Sequence, residues 1–294
     1  MALAFYFRWK MHETTWAEES TVKAKSQGGN NKDTSLIASL SMLRDTIVEN
    51  RMNLLGTAGT WLILDIVFYA NGLFSGEVSK AIGGVQTPKG ESVSSFILQI
   101  IALPGYILSV IYCERIGLKK LQELGFLIVA CLFALFAIIH PQLKTVPPLY
   151  LILYGITFFF QNFGPNTTSY IIPSVIYSTT SKGTCHGISA AAGKLGAVIG
   201  AYSFVYATDH FCSGECDSSD SNSDIDKGVQ LSFGICSIVA FFGLFWSRIF
   251  TPICSETACL TDKHRFEETG NTSEVFTAKN PLKCNDAESF NSSL

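Results

Sequence analysis

The sequence predicts an all-α membrane protein, a bundle of six transmembrane helices. Three observations carry that prediction. First, 48% of the 294 residues are hydrophobic and 15% are charged, against about 25% charged in a soluble domain. Second, the mean hydropathy is positive and Phe is abundant, at 22 residues. Third, the apolar residues gather into six long stretches separated by short polar gaps, at residues 54–75, 92–113, 121–140, 148–172, 184–207 and 229–250.

The first ten residues, MALAFYFRWK, read as the end of an apolar span followed by basic residues, so no secretory signal pattern is expected. Residues 11–53 are polar and mixed in charge. SQGGNNKDTS within them has the composition of a flexible linker, and residues 41–52 fit a short amphipathic helix at a membrane surface.

The first span is the most informative. Over Leu54–Phe74 about 20 residues pass with a single charge, Asp65. At about 1.5 Å per residue that stretch crosses a hydrocarbon core. An ionised carboxylate there costs several kcal/mol, so such a residue is by default functional and faces protein or water. Steps of four drift about 40° around a helix, so Trp61, Asp65 and Tyr69 form one stripe. An indole N–H, a carboxyl and a phenol O–H therefore point the same way. The plainer alternative is two packing aromatics and an acid paired with another helix.

The second and third spans carry no charge away from their ends. The fourth contains FFFQNFGPNTTSYIIP. Gly164-Pro165 interrupts the helical hydrogen bonding and bends or opens the helix. Asn166 sits beside that break, with Asn162 one turn away on the same face. The NTT sequon falls inside the span and is not expected to carry a glycan. The fifth span, GISAAAGKLGAVIGAYSF, is dense in small residues. Gly196 and Gly200 are four apart, which lets helix backbones approach closely. Lys194 lies among them and is the second deep charge of the chain; Asp65 and Lys194 mark either a functional pair or a structural one. His186 reads as a capping or interfacial residue.

The gap at 208–228, TDHFCSGECDSSDSNSDIDKG, is acidic. Cys212 and Cys216 there fit either a local disulfide or a plain solvated loop. Basic residues set the orientation. Sixteen fall in residues 1–53, the ERIGLKK loop, Lys182 and the segment after Ser247, whereas four (Lys80, Lys89, Lys144 and Lys227) fall on the opposite side. The positive-inside rule places both termini in the cytoplasm.

No spacing fits a metal site, a phosphate-cradling glycine loop or a GxSxG nucleophile, and no basic aromatic surface fits a nucleic acid. Enzymatic activity, a cofactor and a nucleic-acid partner are therefore not expected.

Three blocks, GTAGTWLILDIVFYANGLF, FFFQNFGPNTTSYIIP and STTSKGTCHGISAAAGKLGAVIGA, resemble the phosphate:proton symporters of plants and fungi within the major facilitator superfamily. KMHET at residues 10–14 resembles a KMPET-like segment of that family, with His12 in place of Pro, and FTP at residues 250–252 resembles its exit from the twelfth span. The resemblance covers about residues 1–252. It implies spans seven to twelve of a twelve-span transporter, with the end of span six and the central cytoplasmic loop at 1–53, the bundle at 54–250 and a disordered cytoplasmic tail at 251–294. It also implies that Trp61, Asp65, Tyr69 and Asn166 bind phosphate, that Lys194 stands near the site, and that Asp65 carries the coupled proton. The family's remaining site residues, acids with a Tyr and a Gln, have no counterpart here. Glu114, Arg115, Lys119 and Lys120 form a rough version of the family's charged loop.

The chemistry suits an oxyanion. Trp N–H, Tyr O–H, Asn NH₂ and a nearby ammonium are all donors. A carboxylate repels phosphate, but a protonated carboxyl donates to it, which links proton uptake to anion uptake. The expected partners are therefore inorganic phosphate, protons, the lipid bilayer (by family expectation, the plasma membrane) and an N-terminal six-span half. Two other readings stay open. One is a sugar or organic-anion carrier on the same scaffold; the other is a truncated membrane protein without transport activity.

Overall fold

The computed structural model describes residues 41, 43–81, 88–177, 179–212 and 221–251. The chain divides into two units, residues 1–49 and 50–294. In the first, residues 43–49 are helical, within the expected amphipathic stretch. In the second, every long element is a helix: α1 (Arg51–Ala81), α2 (Pro88–Ile116), α3 (Leu118–Leu143), α4 (Pro147–Gln161), a π-helical turn (Asn162–Asn166), α5 (Thr167–Ile176), α6 (Thr179–Cys212) and α7 (Ser221–Phe250). No strand occurs among the described residues.

Among the described residues, four segments are long and apolar enough to cross a membrane, Arg51–Ser75, Ser92–Ile116, Leu118–Leu143 and Lys227–Phe250. The fourth expected span differs for an identifiable reason. The fourth is interrupted: Pro165 offers no N–H, the ladder widens by one residue, and a π turn results. Thr167 Oγ1 then donates to the Asn162 carbonyl at 2.6 Å and Thr168 Oγ1 to that of Gly164 at 2.9 Å. The polar gap expected at 208–228 is narrower than expected, because α6 runs on to Cys212 and α7 begins at Ser221. The Cys212–Cys216 pairing and the tail beyond residue 251 lie outside the described residues.

Two kinds of contact join the helices. An aromatic core lies between α1, α3, α4 and α7, where Phe233 stacks on Phe74 at 4.2 Å and on Phe136 at 5.1 Å. Tyr150 and Tyr154 of α4 complete it, both fully buried. Near the other ends of α1 and α7 the ties are polar. Gln122 Nε2 donates to Ser247 Oγ at 2.8 Å, and its Oε1 accepts from Thr168 Oγ1 at 3.0 Å. Thr60 and Thr251 are bonded at 3.2 Å. Thr57 meets both Tyr177 and Ser189 at 2.8 Å. A turn at Gly117, with φ 85, separates α2 from α3.

Helix α6 lies directly on α1. A Cβ at Gly196 would overlap the carbonyl oxygen of Leu62, and one at Gly200 that of Ile66, so the close approach expected from their spacing is present. Gly196→Val is therefore expected to destabilise the bundle by about 1–3 kcal/mol, read as a lower melting temperature in detergent. Gly187→Ala on the same helix is the control. Its added methyl meets nothing within 4 Å, so an equal loss there would remove the argument.

Candidate functional site

The stripe expected on α1 forms and faces α6. Asp65 is buried, and its Oδ2 has no hydrogen-bond partner among the described residues. Lys194 Nζ stands 4.0 Å from that oxygen, with the lysine side chain 69% exposed and the aspartate side chain 7%. The same ammonium donates to Tyr69 Oη at 3.2 Å. It sits 5.4 Å from the Tyr69 ring centroid. Both distances together put it off the hydroxyl edge of the ring, so the contact is a hydrogen bond and not a face-on cation–π contact. Asp65, Tyr69 and Lys194 are thus one constellation, as the sequence suggests, and the pair is too long for a direct hydrogen bond.

Trp61 sits one turn below, its indole N–H unbonded among the described residues. Its ring meets His186 edge-on at 5.6 Å and Tyr170 at 6.2 Å, and those two rings meet at 5.0 Å. Gly193 supplies the remaining wall. A Cβ there would collide with the Trp61 indole and stand 3.0 Å from Asp65 Oδ2. The missing methyl on α6 is what lets the indole and carboxylate lie side by side.

Asn166 belongs to a second cluster. Its Nδ2 donates to Tyr106 Oη at 2.7 Å and to Asn162 Oδ1 at 2.8 Å, and Asn162 Nδ2 donates to the Ala102 carbonyl at 3.3 Å. No hydrogen bond among the described residues joins Asn166 to Asp65, Tyr69 or Lys194. Tyr170, four residues after Asn166, packs on Trp61 and His186.

Sequence reasoning missed four residues here. His186 lies well inside α6 and is no cap; it packs on Trp61 and its Nδ1 is 3.3 Å from Ser174 Oγ. A signal for it existed, since it precedes Lys194 by eight residues and so shares its face. Tyr170, four after Asn166, was legible in the same way. Gly193 and Tyr106 carried no local signal, because what matters is the neighbour that each meets on another helix.

Comparison with known proteins decides the family. A profile described as sugar (and other) transporter matches residues 8–216. The chain belongs to that transporter family, within the major facilitator superfamily. It is a multi-pass membrane protein. Its relatives include a protein named low affinity inorganic phosphate transporter 1 in Petunia hybrida, 32% identical over 84% of this chain and 51% of the relative. Another, from Arabidopsis thaliana, is named inorganic phosphate transporter 1-1 and is 31% identical over 87% of this chain and 53% of its own length. A third, from Oryza sativa subsp. japonica, is named putative inorganic phosphate transporter 1-13 and is 33% identical over 71% and 47%. The chain spans about half the length of the curated relatives it matches.

Within this family member the constellation gives a direct test of pairing. Lys194→Gln removes the cation beside the buried acid, Asp65→Asn removes the acid, and the double variant removes both. Because the charges interact, the double variant is expected to lose less thermal stability in detergent than the two single losses combined. Strict additivity would show that the 4.0 Å separation carries no coupling.

Proposed function

We propose that this chain provides the C-terminal six-helix bundle of a proton-coupled inorganic phosphate symporter. One observation carries the reading: a buried carboxylate, Asp65, lies beside an exposed ammonium, Lys194, that also holds a phenol, Tyr69. The names of the relatives point to the same substrate.

Substrate-binding roles follow from donor chemistry. Lys194 and Tyr69 present donors at the exposed edge of α1 and α6, where an anion can reach them. Trp61 adds an indole N–H on the same stripe. Asn166 belongs to the site through the aromatic contact of Tyr170 with Trp61. Asp65 is the proton-coupling group. While ionised it holds Lys194 and repels phosphate; once protonated it releases the ammonium and donates to the anion. Proton and phosphate then bind as a linked pair. A sugar would use neutral polar donors and would leave the ammonium without a role.

The distribution of Lys and Arg supports an orientation with both termini cytoplasmic, and the resemblance to the phosphate symporters supports the plasma membrane. Residues 1–53 supply the end of the preceding span and the central loop, and residues 251–294 form the tail. A second six-span bundle supplies the other half of the anion's ligands, since transporters of this type rock two bundles around a midplane site.

Two outcomes follow. The chain expressed by itself is expected to show no phosphate uptake in proteoliposomes, and co-expression with a matching N-terminal bundle to restore it; robust uptake by the isolated monomeric chain would refute the two-bundle reading. In the restored assembly, Asp65→Asn is expected to abolish accumulation driven by an inward proton gradient while phosphate binding persists. Tyr69→Phe is expected to raise the half-saturation concentration about 5- to 150-fold, the worth of one donor to a buried anion. Unchanged gradient-driven uptake in the Asp65 variant would sink the coupling role.

A further inference from the structure

The indole of Trp61 makes no hydrogen bond among the described residues, so packing alone must fix where its N–H lies. Two contacts from α6 do so. Gly193 leaves the room: a Cβ there would stand 2.7 Å from Trp61 Nε1 and 3.0 Å from Asp65 Oδ2. The indole nitrogen and the buried carboxylate oxygen thus border one spot. His186 supplies the second contact, its ring 5.6 Å from the indole with the two planes at 88°. Gly193 and His186 are seven residues apart, about two helical turns, so one face of α6 provides both.

The imidazole is itself held in place. Ser174 Oγ has one proton and gives it to the Tyr170 carbonyl at 3.1 Å. A carbonyl can only accept, so towards His186 the serine oxygen is left to accept as well. His186 Nδ1, 3.3 Å away, therefore carries the ring proton and donates it. Tyr170 also packs on the imidazole at 5.0 Å and on the indole at 6.2 Å. His186 thus has its backbone in α6, its N–H bonded to α5 and its ring against α1. Only histidine meets all of these: phenylalanine keeps a ring without the donor, and asparagine keeps a donor without the ring.

We infer that His186 is a positioning residue for Trp61, holding the indole so that its N–H stays beside Asp65 where the anion binds. This rests on the phosphate reading above. His186 makes no bond of its own to the anion; its effect passes through the indole.

The test measures uptake of labelled phosphate by the full chain co-expressed with a matching N-terminal bundle, normalised to the amount of chain in the membrane. His186→Phe removes the bond to Ser174 and keeps a ring. Ser174→Ala removes the same bond and leaves the imidazole untouched. Each is expected to raise the half-saturation concentration about fivefold, the worth of one misaligned hydrogen bond, with the maximal rate within about twofold. In a Trp61→Phe background there is no indole N–H to place, and neither substitution is expected to raise it further. A spectroscopic readout follows the ring directly. With fluorotryptophan incorporated, the fluorine resonance that Trp61→Phe removes belongs to Trp61, and both substitutions are expected to shift or broaden it. An unchanged half-saturation concentration in either variant, a further loss in the Trp61→Phe background, or an unmoved resonance each overturns the inference and leaves phosphate transport standing. Absence of uptake by the unmodified assembly overturns the phosphate reading and this inference together.

Discussion

The site depends on three absent methyl groups. Gly193, Gly196 and Gly200 lie along one side of α6, and a Cβ at any of them would strike α1. Inside a bilayer, lipid tails are as apolar as leucine, so helices gain little from hiding apolar surface against each other; close packing and polar contacts must hold them. Small residues permit that packing here. The same approach carries Lys194 to Asp65 and Tyr69, because the lysine follows Gly193 directly. Helix association and the polar constellation are therefore one contact. A bulky residue at Gly193 would take the space that the Trp61 indole and Asp65 now share.

The rest of the bundle holds that contact in register from two directions. Stacked Phe side chains around Phe233 fix α1, α3 and α7 by shape. Gln122, with both ends of its amide bonded, ties α3 to α5 and α7. Thr57 adds a tie from α1 to α6. Each tie uses a neutral group fully paired within the protein, which avoids the cost of an unsatisfied polar atom in an apolar medium. The constellation around Asp65 departs from that rule, with a buried oxygen that no hydrogen bond satisfies. Asn71 Oδ1, Ser109 Oγ and both polar atoms of Gln161 are likewise buried without a hydrogen bond among the described residues.

What the sequence disclosed follows from local geometry. A helix repeats every 3.6 residues, so Trp61, Asp65 and Tyr69 had to share a face, and the structure places them so. An isolated charge in an apolar run is visible from composition, which singled out Lys194. Proline lacks an N–H, so the disruption near Gly164-Pro165 was legible, although its form, a π turn, was not. Contacts between distant helices stayed hidden. Nothing near Tyr106 distinguishes it from other aromatics of an apolar run, since its meaning comes from Asn166, 60 residues away. Gly193 looked like one more small residue until the register of α6 on α1 was fixed. Hydropathy misjudged length instead: the polar gap before α7 shortened because helices outlast the apolar run that defines a span.

The long Asp65–Lys194 separation bears on how coupling could work. A short bidentate pair would hold its cation firmly, and a transported anion would have to displace a strong bond. At 4.0 Å, with the lysine largely exposed and the acid buried, the cation gives up little by turning to a new partner, while the acid cannot follow it into water. On the proposed reading, the exposed ammonium is the group an arriving anion meets first. Once it turns to the anion, the carboxylate is left buried, unpaired and close to a second negative charge. Both costs fall on the ionised acid, and taking up a proton removes both at once. On the proposed reading, then, coupling needs no large rearrangement around Asp65. It needs the acid to be buried, the base to be exposed and the distance between them to stay long, as they are here.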